Sequence, residues 1–232
     1  MKNLKKILKN KNIGKALDVG TRRGEFLFRL EKYAKSYEIL IGIDYEKEAI
    51  IEMEKFNRDK IKFIHMDGYS TKFPEEYFDT VAISNTLHHL DHVNEMLNEM
   101  HRILKPKGYF IINEMFHDTK NKSKNTHGLM HILEAEIDRE IGNIHNKTYK
   151  KNEIINIAKS LDLSNIEYEE YEESEEYNKK IHKKYKKFEE KLHKLKDSPK
   201  YSYFKEKANE IDKNFNLYGI ERCKQLIIIG QK

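Results

Sequence analysis

The chain has 232 residues, 38% hydrophobic and 36% charged, with a formal net charge of +5. That length suits one domain with a small appendage, and the high charge share predicts a thin core clad in charged helices. So small a net charge in a chain rich in lysine throughout does not by itself mark a nucleic-acid binder.

The single cysteine, Cys223, excludes an internal disulfide. The opening MKNLKKILKN lacks the apolar core of a signal peptide, and no apolar run of about 18 residues occurs. The expectation is a soluble cytoplasmic protein with no membrane partner.

Leu4, Ile7 and Leu8 recur at helical spacing in a lysine-rich opening. KALDVG then reads as a buried strand ending at a turn, and EFLFRLEKYA as a helix with Phe26, Leu27, Leu30 and Tyr33 at helical intervals. YEILIGIDY is a second strand ending in an acid, EKEAIIEMEKFN a helix, and IKFIHMD a third strand with an acid at its end. FDTVAISNTL is a fourth strand. HVNEMLNEMHRIL is an amphipathic helix, which KPKG stops before a fifth strand, YFIINEM. Strands alternating with helices of this length predict a parallel sheet with crossover helices. The ligands of such sheets lie beyond the carboxyl ends of the strands, where strand order reverses.

After Met115 the rhythm changes. FHDTKNKSKNT reads as a loop, and the next helix runs between Thr126 and Gly142. YKKNEIINIAKSLDL follows as a helix with Thr148 as its N-cap. SNIEYEEYEE is a sixth strand and ERCKQLIIIG a last one, separated by two charged helices around DSPK. Residues 166–177 hold seven glutamates, and residues 178–200 hold ten lysines and three acids. The plain reading of that run is a solvated face. The sharper one is a phosphate clamp for RNA over 179–200, with Tyr177, Tyr185, Tyr201 and Tyr203 nearby.

The stretch ALDVGTRRGEF carries the chemistry. Gly20 directly after a strand lets a ligand approach the backbone, and Gly24 opens the following helix, whose free N–H groups face the same space. Asp18 lies just before the turn, Asp44 ends the second strand and Asp67 follows the third. A carboxylate after a second strand can accept both hydroxyls of a ribose. Asp18 can reach an ammonium. Asp67 can take an adenine amino proton, with Met66 against the ring. Three acids describe a ligand with an ammonium, a ribose and an adenine, and not a pyrophosphate, which wants positive charge or bare backbone N–H. S-adenosyl-L-methionine fits.

Taken in order, LDVGTRRG, GIDYEKEAI, FIHMDGYSTKFPEEYFDTVAISNTLHHL and MHRILKPKGYFIINE resemble class I S-adenosylmethionine-dependent methyltransferases of the type 11/25 kind. The resemblance implies an α/β, doubly wound, mostly parallel seven-stranded Rossmann-like sheet. Helical insertions would follow strand five and separate strands six and seven. The chain reads as a single domain over 1–232, with a cofactor-binding core at 1–115, a lid-like insertion at 116–147 and a helical insertion at 174–216.

The implied cofactor set is Asp18, Gly20, Thr21, Gly24, Asp44, Tyr45, Met66, Asp67, Gly68 and Asn85. The product would be S-adenosyl-L-homocysteine. The family's middle glycine is Arg22 here, so Thr21 or an arginine can meet the methionine carboxylate, or both arginines can face solvent.

The acceptor side is less defined. His88 and His89 follow the fourth strand and are candidates for a base or a substrate ligand; structural capping and cofactor packing are the alternatives. Asp91 would cap the next helix. His127, His131 and Glu134 share a helix face and make a candidate substrate-facing patch. With His117 or Asp118 they could hold zinc, but no third anchor stands at tight spacing, and no metal is assigned. Leu129, Met130, Leu133 and Ile137 would line the acceptor pocket if the helix is a lid, or else pack on the sheet edge.

The leading expectation is a small-molecule methyltransferase, monomeric or a homodimer. An RNA methyltransferase and a non-catalytic S-adenosylmethionine binder are the alternatives. A nicotinamide oxidoreductase is disfavoured by the missing Gly-x-Gly-x-x-Gly.

Overall fold

A computed structural model describes residues 2–117, 120–173, 181, 191–193 and 195–232. The first unit alternates as read. Helix α1 spans Lys2–Leu8, strand β1 Lys15–Val19, α2 Glu25–Tyr33, β2 Ile39–Asp44, α3 Lys47–Glu54 and β3 Ile61–His65. Strand β4 spans Phe78–Ser84, α4 Val93–Ile103 and β5 Leu104–Met115. A single 3₁₀ turn, Leu87–His89, lies between β4 and α4. Helix α5 spans Lys122–Glu140, α6 Lys151–Lys159, β6 Ser164–Tyr171, α7 Tyr201–Tyr218 and β7 Gln225–Gln231.

The seven strands form one sheet in the order β3-β2-β1-β4-β5-β7-β6. Strands β1 to β5 are mutually parallel. Strand β7 runs against β5: Lys107 N donates to Lys232 O, and Phe116 N to Lys224 O. The sheet is therefore mostly parallel and doubly wound. Its order reverses between β1 and β4, which opens a crevice at their carboxyl ends.

Burial explains the sheet's two covered faces. Strands β1 and β2 are buried almost throughout, as strands sandwiched between helices must be. Leu4, Ile7 and Leu8 of α1 join Phe26, Leu27 and Leu30 of α2 in one core with Ile227 and Ile229 of β7. Helix α4 buries Met96, Leu97, Met100 and Ile103. A buried polar chain crosses this unit: Arg29 Nη1 donates to Tyr171 Oη (3.2 Å), Tyr171 donates to Asn113 Oδ1 (2.7 Å), and Asn113 Nδ2 donates to Ser84 Oγ (2.9 Å). Each group is thereby satisfied away from water.

Clustering of the fold divides the chain into two compact units. One comprises Met1–Glu114, Asn152–Tyr171 and Leu226–Lys232, the other Met115–Lys151 and Glu172–Gln225. The second unit has its own core. Met130, Leu133 and Ile137 of α5 meet Phe204, Ala208 and Ile211 of α7, with Ile181, Leu192, Leu195 and Ile220. Met130, Leu133 and Ile137 thus pack helix on helix, with Leu129 partly buried beside them, because a long amphipathic helix buries its stripe against the nearest apolar partner.

Three local expectations are corrected. Helix α5 starts at Lys122, ahead of Thr126, because Asn121 Oδ1 accepts the Lys124 N–H and caps it. Thr148 does not cap α6; its hydroxyl meets His131 Nδ1 at 3.0 Å. The KPKG segment lies inside β5 as an irregularity: Leu104 faces Phe78 and Tyr109 faces Thr80, with Lys107 at φ 63°.

Candidate functional site

The glycine turn after β1 is tightly constrained. Gly20 has φ 69°, and a Cβ there would lie 2.5 Å from Thr86 Cγ2. Gly24 has φ 68° and would drive a Cβ to 2.7 Å from Phe63. Both positions require glycine, on conformation and on space. Arg22 supplies the third left-handed residue, at φ 44°. Its side chain is 71% exposed with Glu46 Oε2 at 3.7 Å, and Arg23, equally exposed, lies 3.8 Å from Glu52. Both arginines thus face outward, and the family's middle glycine is replaced by a residue that bears the strained backbone itself.

The acids are tied to this turn. Asp18 is 1% exposed. Its Oδ2 accepts the Thr21 hydroxyl at 2.7 Å, and its Oδ1 is buried with no hydrogen-bond partner. Burial pushes the Asp18 carboxyl up to about 7, against the pull of the Thr21 hydroxyl, and the nearby Asp44 charge adds to the rise. Asp44 is also buried. Its Oδ2 accepts the Arg22 N–H at 2.7 Å and its Oδ1 the Glu46 N–H at 2.9 Å. Each oxygen keeps a further lone pair. Thr21 N donates to Ile43 O, which closes the turn over β2.

The third acid arrives through the backbone. Met66 N donates to Asp44 O at 3.0 Å. Gly68 lies so close to Val19 and Met96 that a Cβ would come within 2.8 Å of Val19 Cγ1. Asp67 itself is exposed, and its Oδ1 accepts the Tyr69 N–H at 2.9 Å. Asp18, Asp44 and Asp67 are thus gathered at one edge of the sheet. The Tyr45 ring is 73% exposed, and that residue enters the network through its carbonyl, which meets His65 Nε2 at 2.9 Å.

The segment after β4 closes the other side. Asn85 takes φ 50° and donates its N–H to Asn113 O at 2.8 Å. The Thr86 hydroxyl lies 3.0 Å from Ser84 O and 3.3 Å from Gly20 O, so the segment rests on the glycine turn. The two histidines differ. His88 is buried, with Nδ1 2.8 Å from Glu114 Oε1, whereas His89 is exposed with its ring centroid 4.2 Å from that of His88. Glu114 Oε2 also accepts the Leu87 N–H at 3.1 Å. Glu114 is the residue sequence reasoning missed. It closes the fifth apolar run as Asp44 closes the second, and the same signal would have found it. Asp91 is not the α4 cap; that position is His92, whose side chain makes no capping bond.

The second unit holds the remaining candidates. His127 is buried, and its Nδ1 accepts the Cys223 N–H at 3.1 Å. His131 is buried against Thr148, and Glu134 is buried on the same helix. His117 Nε2 meets Asn125 Oδ1 at 2.8 Å. Of the lysine run, Lys191 pairs with Asp138 and Lys200 with Glu140, each at 2.6 Å. Asp118, Tyr177, Tyr185, Lys179, Lys180, Lys183, Lys184, Lys186, Lys187 and Lys194 lie outside the described residues, as does much of the 174–216 insertion.

Residues 17–112 match a family model described as a methyltransferase domain. This segment is similar to that family over about two fifths of the chain. The domain contains the glycine turn, all three acids and the His88 segment. A demethylmenaquinone methyltransferase of Staphylococcus aureus is 30% identical over 113 residues, which is 46% of this chain and 46% of that protein. The YcgJ protein of Bacillus subtilis shares the fold at a TM-score of 0.59 and 16% identity, over 100% of this chain and 97% of that one. A phosphoethanolamine N-methyltransferase 2 of Haemonchus contortus was solved with phosphomonomethylethanolamine and S-adenosylhomocysteine. It matches at a TM-score of 0.58 and 15% identity, over 99% of this chain and 51% of that one. The chain spans about half the length of the curated relatives it matches. Among the described residues, no helix is long and apolar enough to cross a membrane.

Proposed function

We propose that this chain transfers a methyl group from S-adenosyl-L-methionine to a small-molecule acceptor, leaving S-adenosyl-L-homocysteine. The observation that carries the proposal is the gathering of Asp18, Asp44 and Asp67 around the Gly20–Gly24 turn, with a buried Asp18 oxygen that has no protein partner. An orphaned buried carboxylate oxygen is costly, and a ligand ammonium would satisfy it. The glycines keep side chains out of the space beside it. Asp44, still able to accept, suits a ribose, and Met66 and Asp67 suit an adenine. When bound, the cofactor supplies an electrophilic methyl group on a sulfonium.

The chain's own residues then hold the acceptor and exclude water, and alignment of reactants alone can contribute about 7–11 kcal/mol. His88, on the segment that rests on the glycine turn, is the candidate base for an acceptor that must lose a proton. The small-molecule reading is supported by relatives whose names specify a quinone or a phospho-amine acceptor.

Titration calorimetry tests the proposal. S-adenosylmethionine and S-adenosylhomocysteine should bind and NAD should not. Asp44→Ala should weaken binding by about 1–3 kcal/mol, the worth of hydrogen bonds to a charged acceptor. Unchanged affinity in that variant would remove the ribose assignment. Label from methyl-tritiated cofactor should then pass to a reduced quinone, phenol or amine from a small panel. Binding without transfer to panel members or to cell extract would favour a non-catalytic binder, and transfer abolished by ribonuclease would favour an RNA acceptor.

A further inference from the structure

We infer that Glu99 of α4 is a positioning residue for base recognition: it anchors the connection between β3 and β4 and so holds Asp67 in place for the amino group of an adenine. The inference deepens the proposed function and rests on it for the adenine; the anchor itself does not.

Residues 66–77 join β3 to β4 and contain neither helix nor strand. The backbone groups of so long a connection must find partners elsewhere, and loops of this length in compact domains commonly serve function. Here the partners lie along α4 and its N-cap. His92 N donates to Tyr69 Oη at 3.3 Å. The Thr71 N–H and hydroxyl both donate to Glu99 Oε1, at 2.8 and 2.5 Å. Arg102 Nη2 donates to Phe73 O at 3.0 Å. Glu76 N donates to Arg102 O at 3.1 Å and Tyr77 N to Ile103 O at 2.8 Å. Gly68 lies against Met96, so close that a Cβ would come 2.9 Å from its Sδ. The loop thus follows α4 from one end to the other.

Glu99 joins this row by charge. Arg102, three residues on and on the same helix face, donates Nε to Glu99 Oε2 at 2.7 Å and Nη2 to Oε1 at 2.8 Å. This two-pronged pair fixes the plane of the carboxylate. The Arg102 bonds hold the Glu99 carboxyl below the usual carboxylate range, against partial burial, and the Thr71 donors add to the pull. Glu99 is therefore an anion, and its bonds to Thr71 are of the stronger, charge-assisted kind. The chain between Thr71 and the sheet is short and tied at each step. Asp67 Oδ1 accepts the Tyr69 N–H at 2.9 Å, and Met66 N donates to Asp44 O at 3.0 Å. The segment from Met66 to Thr71 is held by β2 at one end and by Glu99 at the other, with Asp67 between. Glu99 acts through this loop.

Two ligands that differ only at the base make the test. S-adenosylhomocysteine carries the 6-amino donor, and its deamino purine analogue has hydrogen in that place. Calorimetry on wild type should find the adenosyl form bound about 10–100-fold more tightly, the worth of a hydrogen bond to a charged acceptor. Glu99→Ala should weaken the adenosyl ligand by about tenfold and leave the analogue within about threefold, so that the preference collapses. Thr71→Val keeps the amide and loses the hydroxyl, and should cut the preference by about threefold. In Asp67→Ala, which lacks the preference, adding Glu99→Ala should cost no further adenosyl affinity, as expected of two residues that act as one unit.

A folded Glu99→Ala that keeps the full preference overturns the inference. So does one that weakens both ligands alike, which is what a merely structural role would give, and so does a wild type without preference. If Glu99→Ala does not fold, Thr71→Val decides. Loss of the cofactor reading would show separately, as wild-type protein that binds neither ligand. The anchor would then be decided by hydrogen exchange of the Thr71 amide, expected to be slow in wild type and about tenfold faster in Glu99→Ala.

Discussion

Asp18 at the end of β1 and Glu114 at the end of β5 are both buried carboxylates on the same sheet edge. Glu114 has both oxygens engaged by protein donors. Asp18 has one oxygen engaged and one without a partner, and its proton is held up to about pH 7 by burial. A fully satisfied carboxylate organises its neighbours. A half-satisfied one destabilises the empty protein and is relieved by a ligand that brings positive charge. One end of the edge holds the chain, and the other keeps a carboxylate oxygen without a partner.

The sharpest way to break this contrast is to fill the open end. Gly20→Ala adds a Cβ against Thr86 at a left-handed position, a backbone cost alone of about 1–2 kcal/mol. Calorimetry should find cofactor binding weakened more than 100-fold; binding within tenfold of wild type would mean that the turn is not the site. Asp18→Asn is next. It removes the charge with little change of shape, and affinity should fall about 10–100-fold.

The same variant has a second signature. The folded Asp18 carboxyl titrates near 7 and the unfolded one near 3.8, so the folded chain holds an extra proton between those values. Its contribution to stability is full below about pH 4 and is lost as the pH rises through about 7, a difference of a few kcal/mol. Denaturation of wild type minus Asp18→Asn, followed from pH 4 to 8, should show that decline; a flat difference would contradict it. At pH 6, cofactor binding should release protons in wild type and not in Asp18→Asn, as buffers of different ionisation enthalpy will show.

The smallest effect belongs to Arg22→Gly. Its side chain is outward, so cofactor affinity should stay within about threefold. Relief of the φ 44° backbone is offset by a freer unfolded chain, leaving stability within about 1 kcal/mol. A larger loss of affinity would return the arginine to the site.

Much of this edge was legible in the residues. ALDVG, GIDY and FIHMDG each carry an acid within two residues of an apolar strand's end, and local patterning suffices to place such residues at the carboxyl edge of a parallel sheet. Glu114 ended a strand in the same way, but its partner His88 lies 26 positions earlier. No local period connects them; only the parallel pairing of β4 with β5 brings their ends together. In α5, Leu129, Met130, Leu133 and Ile137 read as a pocket lining or as packing on the sheet edge, because an apolar stripe does not say which neighbour will cover it. Residues of α7 do so.

While the doubly wound sheet followed from the family resemblance, the sequence by itself determined the alternation of elements and the three acids at the ends of apolar strands. These rest on hydrophobic period and on residues close in the chain. The tertiary structure alone decided that Asp18 keeps an orphaned oxygen, that Arg22 bears a glycine's backbone while its side chain faces water, and that Glu114 holds His88. Each depends on which distant groups burial brings within hydrogen-bond reach, and on which it leaves unmatched.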